Sequence, residues 1–431
     1  MERFAIQQLV EWKKRKAHKP LIIRGARQVG KTWLMKRFAS EYYDDYVYVN
    51  FDDNETIAQI FEHDFDIKRI IQTLELYTRQ TINSNTLLIF DEIQEARRGV
   101  TALKYFCEKA PQYDVIVAGS LLGLSMHQDD SFPVGKVEFL DLYPLNFSEF
   151  LNAMGESSLT DAIRNGQWQT VEPLRPRLEN LLKIYFYVGG MPQAVAEYVD
   201  SSDLNLVRQI QTNILDSYEN DFSKHAPKNE VPRIQLVWNS VIGQLAKENK
   251  KFIYGFIKEG ARAKNFELAI QWLCDAGLIY RINRCKAARI PLKAYEDFSA
   301  FKIFMLDIGL MGAKGKIPPE TLLNSNQLFQ EFKGAITEQF VLQQLTTLSN
   351  MDIFYWSSDS QSELDFLIQH NGILTPIEVK AAENLQSKSL HAFVNKNPEL
   401  RGTRFSMSPF RQQDWMDNIP LWACGIYNKS L

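Results

Sequence analysis

Over the first 150 residues the apolar positions come in short unbroken runs, and between the runs they recur every third or fourth residue. Runs of that kind read as strands buried on both faces, and the wider spacing as helices with one buried stripe. The predicted strands are Pro20 to Arg24, Tyr46 to Phe51, Thr86 to Phe90, Asp114 to Ala118 and Lys136 to Leu142, with helices between them, the first over Thr32 to Ser40. The alternation predicts a right-handed, doubly wound α/β domain with a parallel five-stranded sheet over residues 1–150.

Residues 151–228 carry helical spacing throughout, except for a polar break from Asn165 to Pro176 that predicts an exposed loop. From 229 to 296 the order is helix, a short helix after Ile253, a helix over Lys264 to Ala276, then Leu278 to Asn283 and Ile290 to Ala294 as a small hairpin. That is the order of a winged helix. Residues 297–431 return to an α/β pattern, in which Phe354-Tyr-Trp356 predicts a core strand.

The loop Gly25-Ala26-Arg27-Gln28-Val29-Gly30-Lys31-Thr32 lies between a predicted strand and a predicted helix, the required context for G-x-x-x-x-G-K-T. Glycines let successive N–H groups turn inward around phosphate oxygens, and the helix that follows offers its positive end. Gly25 through Trp33 are therefore the predicted nucleotide-binding residues, with Lys31 on the phosphates of ATP and Thr32 on Mg²⁺. The strand Thr86-Leu-Leu-Ile-Phe90 ends in Asp91 and Glu92. A carboxylate at that end would hold the Mg²⁺, and its neighbour would polarise the attacking water, so Asp91 and Glu92 take those roles. Ser120, closing the strand after Asp114, is the expected sensor of the terminal phosphate. No arginine stands out as the transition-state cation; Arg27, Arg97 and Arg98 are the candidates.

A second constellation lies near the end of the chain. Two alternating strands flank His370-Asn371-Gly372, and Asn-Gly is the strongest short hairpin signal. With Asn371 and Gly372 as the loop, Asp365 faces Glu378 across the ladder, and Lys380 points to the same side. Two carboxylates so placed repel unless something positive sits between them, and a divalent cation is the natural candidate. Asp365…Glu378-Val-Lys380 has the D…E-x-K layout of restriction-type nucleases, with Glu338 as the further acid from the preceding helix.

A chain of 431 residues with 45% apolar content is too long for one core. The net charge of -3 gives no global pull towards nucleic acid or an anionic membrane. Residues 247–293 depart from that balance, with eleven basic against four acidic side chains, net +7, which would suit DNA phosphates. No apolar run approaches the ~20 residues of a bilayer span, and the start of the chain lacks a signal-peptide core. The four cysteines are scattered and the six histidines stand away from ligand spacing. A cytoplasmic protein with no membrane partner is the expectation.

Arg24-Gly25-Ala-Arg-Gln-Val-Gly-Lys31-Thr32, Phe90-Asp91-Glu92-Ile-Gln94, Gly119-Ser120 and Tyr143-Pro-Leu-Asn-Phe-Ser-Glu-Phe150 together resemble a large prokaryotic family of AAA-type ATPases with a C-terminal restriction-endonuclease-like domain. The likeness extends through Gly189-Gly190-Met-Pro192, Trp272-Leu-Cys-Asp275-Ala-Gly277-Leu278, Asp307-Ile-Gly309-Leu310 and Glu363-Leu-Asp365-Phe. It implies an ATPase core at 1–150, a helical lid or linker at 151–228, a winged-helix-like module at 229–296 and a nuclease-like domain at 297–431, with ATP, ADP and Mg²⁺ as ligands, DNA as a candidate partner and room for oligomers. One departure is Gly135-Lys136, where the family pattern leads us to expect Gly-Arg; a lysine lacks the planar fork of a phosphate-sensing arginine.

Overall fold

The computed structural model of the chain describes residues 1–53, 55–119, 131–246, 251–323, 330–348, 351–358, 362–381 and 386–427. Two compact units result, one of Arg3–Tyr143 with Asp275–Gly277, the other of Met1–Glu2, Pro144–Cys274 and Leu278–Leu431.

In the first unit β1 (Leu21–Arg24), β2 (Asp45–Asn50), β3 (Thr86–Asp91), β4 (Asp114–Ala118) and β5 (Glu138–Asp141) form one sheet in the order β2-β3-β4-β1-β5. Every pairing is parallel. A parallel neighbour demands a crossover, and helices such as Lys31–Tyr42 and Gly99–Lys109 supply it. β3 is buried along its whole length, as its unbroken apolar run predicts. Phe90 meets Phe51, Phe61 and Phe106 edge-on, with centroids 5.7 to 6.0 Å apart. Burying each ring contributes about 2 kcal/mol, and that packing fixes the strand end that carries Asp91.

The second unit begins with helices. Asn146 and Glu149 form a reciprocal capping box that starts Phe147–Ala153. Arg175–Val188, Pro192–Ser201, Leu204–His225, Val231–Leu245 and Glu267–Asp275 follow. The polar break expected as an exposed loop is instead helical, with Trp168–Val171 and Glu172–Leu174 both wound. Trp168 explains the difference, because its ring stacks on Phe410 at 4.4 Å and meets Tyr427 edge-on at 4.9 Å.

An eight-stranded mixed sheet completes this unit, in the order β12-β13-β11-β10-β9-β8-β6-β7. Its strands are β6 (Ile279–Cys285), β7 (Glu296–Met305), β8 (Met351–Ser357), β9 (Glu363–His370), β10 (Ile373–Val379), β11 (Gly402–Ser406), β12 (Arg411–Gln412) and β13 (Met416–Pro420). The hairpin after Leu278 differs from expectation in its second strand: Leu292–Tyr295 is a 3-10 turn, and β7 begins at Glu296. β6 also pairs in parallel with β8 through Arg284↔Tyr355 and Cys285↔Trp356. One sheet therefore runs across the boundary expected at 296/297. Among the described residues no helix is long and apolar enough to cross a membrane.

Candidate functional site

The phosphate loop is built on backbone that few residues tolerate. Gly25 has φ +148°, and a Cβ there would come 2.2 Å from the Leu142 carbonyl oxygen. Gly30 caps the helix in the left-handed region at φ 95°, and Gln28 is left-handed too, at φ 66°. Positive φ at such positions turns consecutive N–H groups to one side, the concavity that receives an anion. Arg3, which sequence reasoning missed, is 5% exposed and donates to the carbonyls of Val29 and Tyr143 at 3.0 and 2.6 Å. It braces the loop from behind. Ala26 and Val29 face the core, whereas Gln28 and Trp33 are exposed.

Lys31 folds back over its own loop and donates to the carbonyls of Gly25 and Ala26 at 2.8 and 2.9 Å. Burial pushes its ammonium down to about 8, against the pull of Glu92 and Asp91. A triphosphate would relieve that penalty by giving the buried cation an anion. Thr32 Oγ1 donates to Asp91 Oδ2 at 2.6 Å, which joins two motifs 59 residues apart. Tyr48 on β2 donates to the same oxygen at 3.1 Å, and the Glu92 amide to Asp91 Oδ1 at 3.1 Å. Thr32 thus fits a Mg²⁺ ligand, with Asp91 behind it to hold the hydroxyl and the ion's waters. Glu92 has left-handed backbone at φ 49°, and the Gln94 side chain donates to its carboxylate. A backbone turned so sharply aims Glu92 independently of β3.

Residues 17–151 match the model of a family described as AAA domain. This segment is an AAA-type P-loop ATPase domain. Two further models match, both of domains of unknown function, DUF8612 over 179–321 and DUF4143 over 333–424. An uncharacterised protein of Methanocaldococcus jannaschii is 23% identical over 357 residues, covering 80% of this chain and 71% of that protein. Among solved structures, a Walker-type ATPase of Pyrococcus abyssi aligns at 13% identity over 73% of this chain and 95% of its own, TM-score 0.46. The Orc1 protein of Aeropyrum pernix, solved in complex with DNA, aligns at 12% over 73% and 91%, TM-score 0.27. AMPPCP-bound DnaA of Aquifex aeolicus aligns at 12% over 63% and 86%, TM-score 0.24.

Ser120 falls outside the described residues. Arg98 is a brace: it donates to the Glu62 carbonyl at 2.7 Å and lies 4.2 Å over the Phe65 ring. Lys136 pairs with Glu108 at 2.9 Å.

In the second unit the Asn371-Gly372 loop has positive φ at both residues, and His370 faces Ile373 in the register expected. The β9-β10 ladder ends one pair short of Asp365 and Glu378, where Asp365 Oδ2 accepts the Val379 amide at 2.7 Å. Lys380 pairs with Glu378 at 2.9 Å. Glu338, on the helix Gln330–Thr346, is 8% exposed and lies 3.8 Å from Lys302, a residue that sequence reasoning passed over. Lys302 also pairs with Glu363. One oxygen of Glu378 is buried without a hydrogen-bond partner among the described residues. Among the described residues no group of three or more His, Cys, Asp and Glu side chains has the arrangement of a full metal cage.

Proposed function

We propose that the chain binds ATP with Mg²⁺ and hydrolyses it, and that the nucleotide state acts on the region that follows. The observation that carries this reading is the 2.6 Å contact between Thr32 and Asp91 beside a loop whose lysine donates to its own carbonyls. On binding, Lys31 exchanges the carbonyls of Gly25 and Ala26 for phosphate oxygens, a charge-assisted contact in a dry pocket. Thr32, backed by Asp91, would hold the Mg²⁺, whose charge would offset that of the phosphates. Glu92 leaves Gln94 and accepts a proton from the attacking water.

ATP turnover of the full chain tests the assignment. Lys31→Ala and Glu92→Gln are each expected to lower it by about 100-fold or more. Wild-type turnover in either variant would exclude that residue from its proposed role.

For the remainder, the helix Gln330–Thr346, the antiparallel run β8-β9-β10, the helix Lys388–Lys396 and the parallel β11 surround the D…E-x-K face. That succession supports a nuclease-like module downstream of the ATPase. The basic stretch at 247–293 keeps Lys251, Lys258, Arg262, Lys264, Lys286, Arg289 and Lys293 exposed. Arg281 and Arg284 are held by Glu267 and Asp297 at 2.8 and 3.0 Å. Binding of DNA phosphates thus falls to the exposed lysines and the two exposed arginines, in a cytoplasmic setting.

A further inference from the structure

β7 runs through Ala300-Phe301-Lys302-Ile303-Phe304-Met305, an apolar strand broken by one lysine. Lys302 is 1% exposed. A bare ammonium at that depth carries a heavy desolvation cost, so the fold has to surround it with anions. Glu338 lies 3.8 Å away, Glu363 is closer still, and the Tyr355 ring sits 4.9 Å below the nitrogen. Burial pulls the lysine's pKa down, yet Glu338, Glu363 and Asp365 together hold it above its ordinary value. The side chain is a fixed cation.

The other half of the acidic face is neutralised in the same way. Glu378 is paired with Lys380, and across the ladder it stands beside Arg404, which is 2% exposed. The Arg404 guanidinium is held by Asn418 at 2.8 Å and Ser387 at 3.1 Å, which keeps its charge in place. Four acids, Glu338, Glu363, Asp365 and Glu378, thus share three built-in cations, Lys302, Lys380 and Arg404. A divalent ion entering this cluster would meet fixed positive charge at close range.

We propose that Lys302 is the resident cation of the C-terminal acidic face, held beside Glu338 and Glu363, and that it stands in for a divalent ion there. The cation comes from the segment matched at 179–321 and the acids from the segment matched at 333–424, so the charge cluster welds one to the other. Uptake of a divalent ion at this face is then disfavoured by the cation already beside its acids. The proposal is independent of the ATP site, and its failure would leave that reading untouched.

The test is Mn²⁺ binding to the nucleotide-free full chain, followed by electron paramagnetic resonance and by thermal unfolding, with Asp365→Asn as the site control. Wild type is expected to show no Mn²⁺ signal that Asp365→Asn removes, and the same unfolding temperature in Mn²⁺ as in chelator. Lys302→Gln, which leaves the acids without their cation, is expected to unfold earlier and to recover with Mn²⁺, binding the ion about tenfold or more tightly than wild type. A wild-type Mn²⁺ signal lost in Asp365→Asn would overturn the proposal, and so would a folded Lys302→Gln indifferent to Mn²⁺. If that variant does not fold, the wild-type comparison with Asp365→Asn decides alone.

Discussion

His18 shows what one side chain does for the ATPase sheet. Its Nε2 lies 2.7 Å from Asp114 Oδ1 at the start of β4, and Tyr43 donates to the other oxygen at 2.6 Å. The hydrogen bond to Asp114 is the main cause that raises the imidazole above 6.5. A raised histidine stabilises fully below its unfolded value of 6.5 and loses that contribution as pH climbs through the folded value. Wild type is therefore expected to unfold at progressively lower temperature as pH rises across that window, by about 1 kcal/mol in total, and His18→Ala to lack the slope. Parallel pH profiles for the two proteins would contradict this. Lys31, Thr32, Asp91 and Glu92 were legible in the sequence, since their chemistry is tied to fixed local spacing. Arg3 and Tyr48 were not, because each acquires its partner only when separate segments meet. Lys302 had left a signal, a lone lysine inside an apolar run, and such a residue needs buried anions.

Among elements, the five parallel strands and the Asn371-Gly372 hairpin follow from patterns that act locally. The wing hairpin was misplaced because its second strand starts only after the turn at Leu292–Tyr295, and nothing local marks β6 as a partner of β8. Shared motifs in the second unit turn out to be backbone junctions. A Cβ on Gly190 would come 2.0 Å from the Leu145 carbonyl oxygen, and one on Gly189 2.2 Å from Asp307 Oδ1. Asp307, fully buried, accepts from the Gly190 amide at 2.6 Å, the Leu310 amide at 3.0 Å and the Gln343 side chain at 2.9 Å. Gln339 in turn grips both backbone groups of Met305, at 2.9 and 2.7 Å. Gly190→Ala is expected to cost about 3 kcal/mol or more in thermal unfolding, while Gly255→Ala, with nothing within 4 Å of its Cβ, stays near wild type. Equal unfolding temperatures for the two variants would remove the steric argument.

For the whole molecule, a net charge of -3 leaves attraction to anions to local features, and the phosphate loop is the most complete of them. Its backbone is already turned, the pair proposed for Mg²⁺ already meets, and its buried lysine rests on carbonyls that a phosphate would replace, so the proposed binding requires little rearrangement beyond the Lys31 side chain. Isothermal titration of ATP with Mg²⁺ into the full chain tests this most directly. Saturable binding by wild type, lost in Lys31→Ala while that variant keeps its unfolding temperature, is the predicted result; equal binding by the two proteins, or none by wild type, would contradict the account.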